Sequence, residues 1–184
     1  MYVVQKTSAS NAIDSNDYIT TYFYTGAKNH LTGGGFLGFK TVAASVPTAT
    51  GPTPPKITTT TTFRQVYPYQ GLTASIVKTQ PTGAMLNRVT NFWTDTSLPN
   101  PNNTGGYHRV ELNKTIAEGN DLNGTAFPTV TTTYSNPDAF GNVQDIVVST
   151  PDGYSKAINN KYDNDTANWR LGRLKRSTVT STTP

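Results

Sequence analysis

Four groups of residues have the types and spacing that catalysis or ligand binding would use. Gly33-Gly34-Gly35-Phe36-Leu37-Gly38, followed by Lys40, matches G-x-G-x-x-G. That pattern cradles a pyrophosphate when a helix starts at the turn and aims its N–H groups at the phosphates. Here residues 36–42 read as a strand, so no helix receives the anion, and the glycines instead permit a tight hairpin and close strand approach. Asp163-Asn164-Asp165 opens like a calcium loop, but Asn168 stands where the sharp turn needs glycine and Leu174 where a bidentate glutamate is needed. It reads as a polar turn. His30 and His108 are the only histidines and lie far apart, which supports neither a histidine metal cluster nor a Ser-His-Asp triad. Glu111 and Glu118 are seven residues apart, and nothing sets them as an acid and base pair. The expectation is a non-catalytic chain with no metal site and no cofactor.

Composition narrows the classes further. The chain has 184 residues, one domain's worth, with 34% hydrophobic residues, 10% aromatics and a net charge of +4. Leu, Ile, Val and Phe make up about a fifth of it, close to the range of disordered chains, but the low charge and the aromatics favour ordered β structure. Cysteine is absent, which excludes disulfides and thiolate metal sites. Met1-Tyr2-Val3-Val4-Gln5-Lys6 lacks the charged and apolar regions of a signal peptide, and no apolar run approaches membrane-spanning length. Asn102, Asn113, Asn123 and Asn164 open sequons, which matter only in a chain secreted by a eukaryote. Trp169, Arg170, Arg173, Lys175 and Arg176 combine cations with an aromatic, as single-strand nucleic-acid sites do. A strand edge studded with Lys and Arg to block edge pairing is the simpler reading. No nucleic-acid partner and no membrane insertion are expected.

The elements that position these residues are strands. Residues 129–179 state one pattern twice: Tyr134, Asp138, Gly141 and Val143, then Tyr162, Asp163, Gly172 and Leu174. Each set gives an aromatic strand end, a polar turn with glycine, and a new strand. Thr129-Val130-Thr131-Thr132-Thr133-Tyr134 is β-branched and ends in an aromatic, side chains that pack well on a pleated surface. Asn136, Pro137, Asp138, Gly141 and Asn142 then supply turn chemistry, and Pro151-Asp152-Gly153 supplies it again. Tyr154, Lys156, Ile158, Asn160 and Tyr162 share one face at period two.

Further strands are predicted over 18–24, 36–42, 57–67, 72–78, 87–93 and 107–116, with a short one before residue 17. Four prolines within 46–56 predict a loop outside any ladder, and a turn of helix is allowed near 115–118. About ten short strands at hairpin spacing define an all-β fold. We divide the chain into opening hairpins over 18–80, an irregular middle over 87–125 and a repeated region over 129–180.

Four stretches together resemble one family. Tyr24-Thr25-Gly26-Ala27-Lys28 with Gly35-Phe36-Leu37-Gly38-Phe39 comes first, then Thr61-Thr62-Phe63-Arg64-Gln65-Val66-Tyr67-Pro68-Tyr69-Gln70-Gly71. Asp138-Ala139-Phe140-Gly141-Asn142-Val143 and Tyr162-Asp163-Asn164-Asp165 running through Trp169-Arg170-Leu171-Gly172-Arg173-Leu174-Lys175-Arg176-Ser177-Thr178-Val179-Thr180 follow. In order and spacing they resemble RHS (YD-repeat) proteins, at the part of the Tc-toxin B component or SpvB-like region that leads into the repeats. The resemblance implies consecutive antiparallel β-hairpins in a curved or spiralling sheet, a partial RHS shell around a toxic C-terminal cargo. It implies structural roles for Tyr22, Tyr24, Phe36, Phe39, Phe63, Tyr67, Tyr69, Tyr134, Tyr162 and Trp169 in holding hairpins together. Gly26, Gly38, Gly71, Gly141 and Gly172 would make the turns. The partners it implies are the rest of a parent toxin chain, its cargo and other toxin-complex subunits, and the location is secreted or extracellular within a larger bacterial protein. The chain departs from the family in having too few repeats to close a shell, no downstream self-cleaving core, no effector domain and no β-propeller, which marks it as a fragment or truncated copy. The alternative is a secreted or surface β module for adhesion or glycan binding, with exposed Tyr and Trp as sugar platforms.

Overall fold

A computed structural model describes residues 2–10, 17–49, 53–98 and 107–184. The fold is all-β. Its strands are β1 (Lys6–Ser10), β2 (Asp17–Thr25), β3 (Thr41–Pro47), β4 (Lys56–Phe63), β5 (Thr73–Thr79), β6 (Met85–Leu98), β7 (Tyr107–Gly119), β8 (Val130–Pro137), β9 (Val143–Ser149), β10 (Ser155–Asp165) and β11 (Arg170–Thr182). They form one open antiparallel sheet in sequence order, so each strand neighbours the strands before and after it in the chain. Contacts divide the chain into two compact units, Met1–Thr90 with Gly119–Ala126 and Asn91–Glu118 with Phe127–Pro184. Among the described residues no helix is long and apolar enough to cross a membrane.

Cross-strand registers show how period-two alternation sorts the side chains. In the first unit Tyr24, Val42, Thr61, Ile76 and Val89 stand opposite one another across five strands, an apolar row on one face. One position along, Thr25, Thr41, Thr62, Ser75 and Thr90 form a row of hydroxyls on the other face. Threonine suits this arrangement because its branched Cβ fits the pleat while its hydroxyl finds partners across the strands. Thr25 Oγ1 lies 2.5 Å from Thr41 Oγ1, and Ser45 Oγ lies 2.8 Å from Thr58 Oγ1. The second unit repeats the scheme, with Tyr134, Ile146, Ile158 and Val179 in one apolar row.

Among the described residues no hydrophobic side chain is buried; Ser45 and Asn160 are the buried residues, and the others on the strand faces are half-buried or exposed. The sheet is held by ladder hydrogen bonds and by half-buried rows on its faces, a condition that demands neighbours along both edges of each hairpin. The strands β1 and β11 pair on one side only.

Several sequence expectations change in detail. The strand predicted over 36–42 begins at Thr41; before it, the loop over 26–40 folds on itself, with Phe36 making an isolated bridge to Asn29 and Leu37 N–H donating to Lys28 O at 2.8 Å. Positive φ at Gly26, Gly35 and Gly38 breaks the extended run that alternation alone implied. Val46 and Pro47, predicted as loop, pair with Ile57 and Lys56. Proline loses only its N–H, and at the last rung of a ladder that donor is dispensable. The strand predicted over 57–67 stops at Phe63, and a turn containing the cis Tyr67-Pro68 bond follows. The helical turn allowed at 115–118 is instead strand β7, where Thr115, Ile116 and Ala117 pair with β8; β-branched residues favour that outcome.

The two copies of the repeated pattern also differ. Tyr162 and Asp163 lie within β10, opposite Leu174 and Arg173, and the turn falls at 166–169. Gly172 lies inside β11 at a register shift rather than in a turn.

Candidate functional site

The polar geometry concentrates at hairpin ends, one cluster in each unit. In the first unit the loop over 26–40 closes as a small hairpin: Lys28 N–H donates to Gly38 O at 3.1 Å and His30 N–H to Gly35 O at 2.9 Å. The imidazole of His30 caps the tip, its Nδ1 accepting from Thr32 N–H at 3.4 Å and Gly34 N–H at 3.3 Å. Gln65, just past β4, pins both ends of this loop. Its Nε2 donates to Gly26 O at 2.7 Å and to Gly38 O at 2.8 Å, adding a side-chain donor to carbonyls that also accept from Lys40 N–H and Lys28 N–H, each at 3.1 Å.

Gly26 is required there by space as well as by its φ of 63°, because a Cβ would sit 2.5 Å from Lys40 Cβ. Aromatic packing supports the same corner, with ring centroids 4.9 Å apart for Tyr24 and Phe39 and 5.5 Å apart for Phe36 and Phe39. The turn over 64–72 is tied by Gly71 N–H to Arg64 O at 2.9 Å, and the Arg64 guanidinium lies 6.0 Å above the Tyr69 ring. Between loop and turn opens a cleft of about 660 Å³, lined in part by Lys28, His30, Leu37, Gln65, Tyr67 and Gln70. Tyr67 is exposed there, next to Pro68 in the cis bond. Phe63 is half-buried at the register shift between β4 and β5.

In the second unit Asp138 organises the turn between β8 and β9. Its carboxylate accepts from the backbone N–H groups of Phe140 and Asn142, both at 2.9 Å. Asn142 Nδ2 and Asn164 Nδ2 each add a bond at 2.9 Å. Asn164 Oδ1 in turn accepts from Gly172 N–H at 2.8 Å, so one carboxylate and two amides join the β8–β9 turn to the shifted register of β10 and β11. Partial burial pushes the Asp138 carboxyl up, but the donors from Asn142, Asn164 and Phe140 outweigh it and bring the pKa from 3.8 down to about 2. Gly172 has a φ of 72°, and a Cβ on it would meet Asn142 Oδ1 at 2.9 Å.

The next turn uses the same chemistry on a smaller scale. Asp165 accepts from Asn168 N–H at 3.1 Å and Asn168 Nδ2 at 2.7 Å, which holds its carboxyl below the usual range. This places the Asx turn at Asp165, where the sequence had put the turn signal at Asp163. Trp169 closes that turn with a φ of 54° and is 76% exposed, so it packs between no hairpins here. Gly141 sits in the Asp138 turn as expected, and Tyr134 and Tyr162 are half-buried on their strands.

Sequence reasoning missed a charged cluster on β6 and β7. His108 Nδ1 lies 2.8 Å from Asp95 Oδ2, joining a histidine to a carboxylate from the preceding strand. Arg109 Nε lies 3.1 Å from Glu111 Oε1, within ion-pair range though not aligned as a hydrogen bond; the attraction stands on distance. Arg109 Nη1 also donates to Asp138 O at 3.4 Å. The only sequence signal was the period-two spacing of Arg109 and Glu111. Among the described residues no group of three His, Cys, Asp or Glu could hold a metal ion.

The open sheet of consecutive antiparallel hairpins is a fold shared with solved Tc-toxin structures. The structure "TcdB2-TccC3 without hypervariable C-terminal region" superposes with a TM-score of 0.82 over 98% of this chain at 11% identity. A "TcdB2-TccC3-Cdc42" structure gives 0.81 over 98% at 10% identity, and "TcdB2-TccC3" gives 0.65 over 97% at 10% identity. This chain spans 13% of the length of those chains. No family profile and no curated protein matches the sequence.

Proposed function

We propose that this chain is a non-catalytic structural segment of a bacterial RHS/Tc-type toxin, contributing wall strands to a β-shell that encloses a C-terminal toxic cargo. The observation that carries the reading is a sheet in strict sequence order with no fully buried hydrophobic side chain among the described residues, matching TcdB2-TccC3 over 98% of its length. Such a sheet is one wall of something larger, because its half-buried rows and single-sided edge strands need more surface than the chain supplies. The residues named for the repeat motif act as scaffold: Tyr24, Phe39, Phe63, Tyr134 and Tyr162 pack rows, and Gly26, Gly71, Gly141 and Gly172 permit the turns and bulges. Partners are the rest of the parent chain, its cargo and other toxin-complex subunits, in a secreted or extracellular setting.

Sequencing the DNA on both sides of the reading frame tests this. Many further YD-type repeats ahead of a variable C-terminal domain are expected. A stop codon directly after Pro184 with a promoter directly before Met1 overturns the reading. Exposed Tyr67 beside the cleft of about 660 Å³ supports a second reading, a glycan-binding module. Saturable binding on a glycan array that Tyr67→Ala abolishes would favour it.

A further inference from the structure

The cleft between the loop over 26–40 and the turn over 64–72 takes both its walls from the first unit. Its volume of about 660 Å³ falls in the range of small-ligand sites. The walls are tied together, because Gln65 in the turn donates to Gly26 O and Gly38 O of the loop. The imidazole in the loop wall is held as well: a Cβ on Gly34 would lie 2.7 Å from His30 Cγ, so the backbone packs directly on the ring. A ligand entering here meets walls that are already fixed, which lowers the ordering cost of binding.

The chemistry of the lining is selective. No carboxylate lines the cleft. Lys28 supplies an ammonium, and Asn29 and Gln70 supply amides that both donate and accept. His30 Nδ1 accepts from the backbone N–H groups of Thr32 and Gly34, which can only donate. In the neutral ring the proton therefore sits on Nε2, which is left as a donor. Leu37 and Val66 add apolar surface, and Tyr67, 65% exposed, adds an aromatic ring with a polar tip. The surrounding sequence carries one sign of charge. From Tyr18 to Thr94 the chain has no Asp or Glu, while Lys28, Lys40, Lys56, Arg64, Lys78 and Arg88 are cations. Charge of a single sign around a cleft raises the local concentration of the opposite ion.

We propose that this cleft binds a uronic-acid unit of an acidic saccharide, its carboxylate at Lys28 and the His30 Nε2 proton, its hydroxyls on the amides of Asn29 and Gln70, and its ring on Tyr67. The proposal rests on the glycan-binding reading and names the ligand class. One ammonium among neutral donors suits one carboxylate on a hydroxyl-rich ring. A nucleic-acid strand calls for successive stacking aromatics along a groove of cations, and Tyr67 is the one Phe, Tyr or Trp among the described residues of this lining.

The test is isothermal titration calorimetry of the full chain at low ionic strength with three probes: trigalacturonic acid, its uncharged methyl ester, and a thymidine tetranucleotide of equal charge. The acid should bind saturably and about tenfold more tightly than the ester, with the advantage shrinking as salt is added. Lys28→Gln should remove that advantage and leave binding of the ester unchanged, whereas Tyr67→Ala should weaken acid and ester alike. Far-UV circular dichroism should show the sheet retained in both variants. Equal affinity for acid and ester, no saturable binding of the acid, an advantage that persists in Lys28→Gln, or tighter binding of the tetranucleotide overturns the proposal. Equal affinity that Tyr67→Ala abolishes leaves the glycan-binding reading standing with a neutral ligand, while binding of neither saccharide removes both. The shell reading survives each of these failures, since wall strands need no ligand.

Discussion

Asp138 offers the sharpest physical test of the latch in the second unit. Its pKa is lowered from 3.8 to about 2 in the folded chain. The unfolded chain therefore takes up the proton first as pH falls, and the stability Asp138 contributes is complete above its ordinary pKa and lost between about 4 and about 2. The full shift corresponds to a ceiling of roughly 2.5 kcal/mol. The side chain is only partly buried, so solvent screening reduces the expected contribution to about 1–1.5 kcal/mol. Asp138→Asn keeps the shape but removes the charge and turns an amide N–H toward the donors of Asn142 and Asn164. Denaturant unfolding of both proteins should show Asp138→Asn less stable by about 1–2 kcal/mol near neutral pH, the gap closing as pH falls to about 2. Taking the difference between variant and parent cancels the other carboxylates. Coupling to Asn164 is checked by a double-mutant cycle with Asn164→Ala, where a coupling of about 0.5 kcal/mol or more is expected. A gap that is constant across the acid range, or additive behaviour in the cycle, refutes the latch.

Gly26→Ala should destabilise the chain by about 2–3 kcal/mol, because positive φ and the 2.5 Å approach to Lys40 Cβ leave no room for a methyl; thermal melting reads this directly. Gln65→Leu should cost about 1–2 kcal/mol by removing the two side-chain bonds to Gly26 O and Gly38 O, which keep their backbone donors Lys40 N–H and Lys28 N–H, and faster amide exchange in the loop over 26–40 would locate the damage; unchanged exchange there would count against the pin. Gly172→Ala should cost roughly 1–3 kcal/mol by displacing Asn142 from Asp138, and combining it with Asp138→Asn should give less than the sum in denaturant melts. Phe63→Ala, at a half-buried position, should cost about 1–3 kcal/mol, below the range for a fully buried ring; a change under about 0.5 kcal/mol would remove Phe63 from the packing of its row.

The sequence alone determined the fold class and most of the strand order. Period-two alternation, β-branched threonines and turn residues such as Asp138, Gly141, Pro151 and Gly153 act between neighbours in the chain, and in this sheet every strand pairs with its sequence neighbours. Local signals therefore sufficed for β2, β5, β8 and β9. The tertiary structure decided everything that joins residues distant in sequence: the Gln65 amide on Gly26 O, 39 residues away, and the Asn164 amide on Asp138, 26 residues away. It also decided that Gly172 bends a strand and that the Asx turn belongs to Asp165. Such contacts depend on register, and one register shift moves a side chain to a new partner or to the other face. No periodicity in the chain encodes where those shifts fall.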